Sequence, residues 1–165
     1  MNLCMTRHPV VLVTGMSGVG KSTALAELAR RGYATVDTDY GPWTELVAGE
    51  PLWREPLIEA LLNQPRERPL FVQGTVANQG RFYDRFTAIV LLTAATDVVL
   101  DRIARRTNNP FGKTAEERSR ILADIAEVEP LLRQSATHEI NTARPLSEVV
   151  GILAGIADGG TLVSS

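Results

Sequence analysis

The chain has a single cysteine, Cys4, so no internal disulfide can form and nothing ties it to an oxidising compartment; a reduced, cytoplasmic setting is expected. Long apolar runs are missing as well. Met1 to Thr14 carries one positive side chain, Arg7, and only the apolar run Val10 to Val13, too short for a signal-peptide core or a membrane span. Neither sign of charge dominates. The 17 Lys and Arg against 19 Asp and Glu leave a net charge of -2, and the pI is near 5.7. An extended basic surface for a phosphodiester backbone is therefore not expected, and neither nucleic acid nor membrane is an expected partner. There is no internal repeat and no low-complexity tract.

What remains is an average globular composition, 44% apolar and 22% charged over 165 residues. A chain of this size buries roughly 70% of its unfolded surface, enough for one self-sufficient domain. The arginines gather in the second half (Arg81, Arg85, Arg102, Arg105, Arg106, Arg118, Arg120), a local cluster suited to a small phosphate ligand or to a solvated face.

Short apolar, β-branched runs alternate with segments of helical period, the pattern of an α/β fold with a parallel sheet and helices on both faces. Five strands are predicted: Val10 to Thr14, Ala34 to Asp37, Leu70 to Gln73, Ala88 to Leu92 and His138 to Asn141. Helices are predicted from Lys21 to Arg31, around Leu57 to Leu62, around Val99 to Ala104, from Ala115 to Arg133 and from Leu146 to Ala157. The domain is expected to span 1-157. A polar loop with Pro and Gly at about 105-115 is expected to form a short lid, and the Gly- and Ser-rich stretch 158-165 a frayed tail after the domain.

Gly15-Met16-Ser17-Gly18-Val19-Gly20-Lys21-Ser22 matches G-x-x-x-x-G-K-[ST] between a predicted strand and a predicted helix, the context that gives the motif its meaning. Its glycines let successive backbone N–H groups approach phosphate oxygens, and the helix N-terminus carries the anion. ATP is the expected ligand of Gly15, Ser17, Gly18, Val19, Gly20, Lys21, Ser22 and Thr23. Lys21 is expected to reach the β- and γ-phosphates, and the Ser22 hydroxyl to ligate Mg²⁺. Asp37-Thr38-Asp39 closes the second strand, and the strand period puts both carboxylates on one side at the carboxyl end, where ligands bind in open parallel sheets. One carboxylate is suited to Mg²⁺ and the other to accepting a substrate proton, unless the pair serves only as an Asx turn.

The phosphate loop followed by Asp-Thr-Asp at the end of the next strand resembles shikimate kinase and, more broadly, the adenylate-kinase-like small-molecule kinases. The resemblance runs from Val10 to about Ile156, with only those two motifs specific. It implies a three-layer P-loop fold with sheet order 2-3-1-4-5, and Asp37 on the metal side with Asp39 on the substrate side as candidate base. It also implies substrate contacts from Arg54 and from the loop at Gly74. Arg106 is implied at the phosphates of a closing lid, and Arg102 and Arg144 at the adenine. Aligning Glu129-Pro130-Leu131-Leu132 with the family's matching helix puts Val128 where shikimate kinase has an arginine for the substrate carboxylate. With Glu127 and Glu129 beside it, that position suits an uncharged or cationic acceptor, or a plain solvated helix face, and shikimate itself is not the expected substrate.

Two functions remain open at this point. One is ATP-dependent phosphoryl transfer to a hydroxyl or phosphate of a small metabolite; the other is a nucleotide-binding module or weak NTPase acting as a switch. A GTPase would need an Asn-Lys-x-Asp base reader, which Thr107-Asn108-Asn109-Pro110 is not. Tyr40, Trp43 and Trp53, between the second and third strands, are candidates either to wall a ring-shaped acceptor or to pack in the core.

Overall fold

The fold is described from a computed structural model covering residues 8-105 and 113-159; Arg106, most of the expected lid, Cys4 and the last six residues lie outside that range. Three strands are buried along their whole length: β1 (Val10–Thr14), β5 (Leu70–Gln73) and β6 (Ala88–Thr93). Strands apolar on both faces belong in the middle of a parallel sheet covered twice. They are flanked by the more polar β2 (Ala34–Asp37) and β7 (His138–Asn141), which are partly exposed and take the edges. The sheet order is β2-β5-β1-β6-β7 with every pairing parallel. Counting only the five strands of this sheet, that is 2-3-1-4-5.

Strand alternation sends Val11 and Val13 to one face and Val10 and Leu12 to the other, so the chain builds two cores. The first receives Leu25 and Leu28 of α1 (Lys21–Arg30), Val99 and Ile103 of α3 (Thr96–Arg105), Ile121 and Leu132 of α4 (Ala115–Ser135), and Val150 and Leu153 of α5 (Leu146–Ala157). The second is closed by Ile58 and Leu62 of α2 (Glu55–Asn63) together with Trp53, Phe82 and Phe86. The three layers follow from these two burials. No helix among the described residues is long and apolar enough to cross a membrane.

Two elements go beyond what periodicity predicts. Residues after β2, where periodicity predicts no strand, form a separate antiparallel hairpin, β3 (Thr44–Val47) and β4 (Glu50–Trp53), and a 3₁₀ segment spans Gln79–Arg85. The hairpin turns on Ala48 and Gly49, both at positive φ (53° and 81°), the pattern of a tight two-residue turn. It lacks the Asn-Gly signature, and Pro51 inside β4 is tolerated because the pair has no further neighbours.

The buried polar side chains are not scattered. Thr14, Gln73 and Thr93 end strands, Thr38 and Thr142 follow strands directly, and Gln79 lies one loop beyond β5. All sit toward the carboxyl edge of the sheet, where the polar site is assembled.

Candidate active site

The phosphate loop joins β1 to α1 around glycines that the packing requires. A Cβ on Gly15, which has φ 152°, would meet the Leu92 carbonyl oxygen at 2.6 Å. The Lys21 ammonium donates to the carbonyls of Gly15 (2.6 Å) and Met16 (3.1 Å), folding back across its own loop. Burial pushes the Lys21 pKa down to about 8, against the opposing pull of the Asp39 and then the Asp37 carboxylate. A cation held in that state gains strongly from a phosphate ligand.

A cleft of about 550 Å³ opens over this loop, within the range of small-ligand sites. Residues 17-23 form its floor, Arg102, Thr142, Arg144 and Leu146 form one side, and Asp39 and Tyr40 form the other. Arg102 does more than line it. Its guanidinium donates to the carbonyls of Gly18 (3.4 Å) and Val19 (3.2 Å) and to both the hydroxyl (2.9 Å) and carbonyl (3.0 Å) of Thr142. It therefore ties the phosphate loop to the segment after β7, and Thr142 is anchored in turn on the Thr93 carbonyl (3.1 Å). Arg144 is exposed at the cleft and lies 3.6 Å from Glu148.

Below the loop a second recess of about 250 Å³ is lined by Gly15, Met16, Ser17, Lys21, Asp39 and Thr75. Ser17, Lys21 and Asp39 border both spaces. Groups bound in the two spaces would adjoin at these three residues. Thr75 fixes the recess wall by donating to the Gly15 carbonyl (2.6 Å) and accepting from the Gly15 N–H (3.2 Å).

The Ser22 hydroxyl donates to Asp37 Oδ2 at 2.7 Å, bringing two hard oxygen donors together at the helix start. Among the described residues no group of three or more His, Cys, Asp or Glu side chains could form a protein-only metal cage. One hydroxyl and one carboxylate beside a phosphate site fit Mg²⁺, which keeps much of its water and takes the rest of its ligands from phosphates. Asp37 also accepts from the Gln73 amide (2.5 Å) and from the Asp39 N–H (3.1 Å).

Other predicted site residues sit apart. Arg54 is exposed at the start of α2, donates to the Thr44 carbonyl (3.3 Å) and lines neither space. Gly74 makes a close approach to protein, since a Cβ there would lie 2.7 Å from Thr38 Oγ1 and 2.8 Å from Trp53 Cζ2. Trp53 is buried and Trp43 packs against the same core, so both are core residues, whereas Tyr40 is exposed at the cleft. Val128 packs against the first core from α4. No motif in the sequence assigns a role to the side chains of Gln73, Thr75 or Thr142, although they flank Gly74 or lie near Arg144; the one signal for Gln73 is a polar residue ending the otherwise apolar Leu70-Phe71-Val72 run.

Residues 11-123 match the family described as AAA domain. The chain is 31% identical to a shikimate kinase of Novosphingobium aromaticivorans, over 84% of this chain and 81% of that protein. Among solved structures it is similar to shikimate kinase from Acinetobacter baumannii in complex with shikimate (TM-score 0.68, 19% identity, 94% of this chain and 96% of the other). It is also similar to a gluconokinase from Sinorhizobium meliloti (TM-score 0.56, 22% identity, 93% and 94%).

Proposed function

The chain belongs to the AAA domain family and is a shikimate-kinase-like, ATP-dependent small-molecule kinase, and we propose that it uses Mg²⁺ to phosphorylate a hydroxyl of a small metabolite, one that carries no carboxylate. The observation that carries this reading is the pair of adjoining spaces sharing Lys21 and Asp39. ATP occupies the upper cleft with its phosphates on the loop from Gly15 to Thr23, and the acceptor occupies the lower recess. Mg²⁺, when bound, neutralises the phosphate oxygens and orients them.

The chain's own residues do the rest. Lys21 follows the charge on the transferring group, and Ser22 and Asp37 supply oxygens on the metal side. Asp39, exposed at the junction, accepts the proton of the attacking hydroxyl as the O–P bond forms. Arg102 and Arg144 border the region left for the base, and the resemblance implies Arg106, outside the described residues, at the phosphates.

The acceptor's charge follows from the cations near the recess. Lys21 is the only lining cation among the described residues, and it faces two carboxylates. Val128 offers no charge, Arg54 is turned to Thr44, and Arg81 lies 3.5 Å from Glu55. A carboxylate acceptor would enter without a guanidinium partner, a loss of several kcal/mol. The test is a coupled ADP-release assay comparing shikimate with uncharged polyols and sugars. Turnover with an uncharged acceptor and background rates with shikimate are expected; efficient shikimate-dependent turnover would overturn the assignment of acceptor class.

A further inference from the structure

Gln73, at the end of β5, is fully buried, yet it is not part of either core cluster. It grips all three residues of the Asp37-Thr38-Asp39 turn on the neighbouring strand. Its backbone carbonyl accepts from the Thr38 N–H (3.1 Å) and the Thr38 hydroxyl (2.8 Å). Its amide nitrogen donates to Asp37 Oδ1 (2.5 Å) and to Asp39 Oδ2 (3.1 Å). A primary amide has two N–H donors on one nitrogen, so a single neutral group serves two carboxylates at once. Lys or Arg in its place would supply donors too, but with a positive charge competing directly with a metal ion. The amide's orientation follows from its surroundings, because turning it over would aim its oxygen at two carboxylates.

The other end of the amide shows a cost. Gln73 Oε1 is buried and has no hydrogen-bond partner, the one such side-chain atom among the described residues. An unpartnered buried acceptor is unfavourable, and an apolar residue of similar length would fill the space without it. The group that offsets this cost is the doubly engaged nitrogen. Beneath it Trp53 donates to Thr38 Oγ1 (2.9 Å), so the turn is also clamped from the hairpin side.

We propose that Gln73 is a positioning residue that holds the Asp37 and Asp39 carboxylates together as neighbours, keeping one turned to the metal side and the other to the acceptor side of the same junction. This rests on the metal-side reading of Asp37 given above. The two bonds are unequal, the shorter one to Asp37, and Asp37 is further held by Ser22 and by the Asp39 N–H. The Asp39 carboxylate keeps its second oxygen for the recess, and its reach is limited by the single longer bond.

The experiment is a Mn²⁺ titration, read by electron paramagnetic resonance, of the full chain saturated with a non-hydrolysable ATP analogue. It compares the native protein with Gln73→Met, Gln73→Asn and Asp37→Asn. Loss of a group that orients a metal ligand typically weakens metal binding by about 10- to 100-fold. Gln73→Met fills the space without donors, and Gln73→Asn keeps the amide but shortens it by one methylene. Both are expected to weaken Mn²⁺ binding by at least about tenfold, with metal-free nucleotide affinity unchanged. A space-filling role predicts instead that Gln73→Met is tolerated and that only thermal stability tracks the substitution. Should Gln73→Met fail to fold, Gln73→Asn carries the comparison alone. Native Mn²⁺ affinity in a folded Gln73 variant, with Asp37→Asn impaired, overturns the positioning role and leaves the metal-side reading standing. Native affinity in Asp37→Asn as well removes the metal-side reading and the proposal with it.

Discussion

The two spaces that meet at Lys21 and Asp39 are built by different means. The nucleotide side has as its base one contiguous stretch, residues 17-23, with Arg102, Thr142, Arg144 and Leu146 along one side. The acceptor side is made of residues far apart in sequence, with Asp39 after β2, Thr75 after β5 and Met16 in the loop, and it is backed by Gln73, Gly74 and the hairpin's Trp53. A contiguous motif carries its function wherever the strand and helix form. A site assembled from several elements depends on tertiary packing, and it is the part that can change acceptor while the nucleotide side stays the same.

The largest expected effect falls on the nucleotide side. Lys21→Ala removes the cation that follows the transferring charge and should lower turnover by about 10² to 10³. The fold should persist, because the substitution also removes a buried charge held well below its ordinary pKa. Steady-state rates and a thermal melt check both halves. Turnover near the native level would show that the shared junction is not where transfer occurs.

Gly74→Ala probes the other side. The new Cβ would press on Thr38 Oγ1 and the Trp53 ring from below 3 Å, so the Trp53–Thr38–Gln73 stack must shift. Destabilisation of about 1–3 kcal/mol is expected, as for other overpacked sites. Acceptor KM should change more than nucleotide affinity. An equal change in both would erase the distinction between the two sides.

The smallest effect is a proton. Lys21 has a folded-state pKa of about 8 against an ordinary 10.5, so between those values the unfolded chain binds more protons than the folded one. Stability from this group therefore rises as pH climbs through that window. Phosphates favour the charged ammonium, so nucleotide binding at about pH 8 should take up roughly half a proton through Lys21. Calorimetry in two buffers of different ionisation enthalpy measures it, and Lys21→Ala should abolish the uptake.

Legibility in the sequence divides along the same line. Three strands of the main sheet, β1, β5 and β6, stand out because their apolar runs are short and bounded, and α5 because its buried stripe Val149, Val150, Leu153 and Ile156 keeps helical spacing. The phosphate loop is readable because all its parts are adjacent. The hairpin β3–β4 is hidden because its residues are largely exposed, its turn uses Ala48-Gly49, and Pro51 breaks the strand pattern. Gln73 is visible as a polar strand end, but its grip on Asp37, Thr38 and Asp39 appears only once β5 lies beside β2. For Arg102 the resemblance implies only a place at the adenine; its bonds to Gly18, Val19 and Thr142 require the loop after β7 to come alongside, which no local pattern encodes.

The most direct test of the account follows the phosphorus atom. A ³¹P NMR time course with Mg·ATP and a set of uncharged polyols should show ADP and one new phosphomonoester rising in step for the native protein. In Asp39→Asn the ester should form about 10² to 10⁴ more slowly although the nucleotide still binds. If inorganic phosphate is the only product whichever uncharged acceptor is supplied, or if Asp39→Asn makes the ester at the native rate, the assignment of an uncharged acceptor and of Asp39 as its base is contradicted.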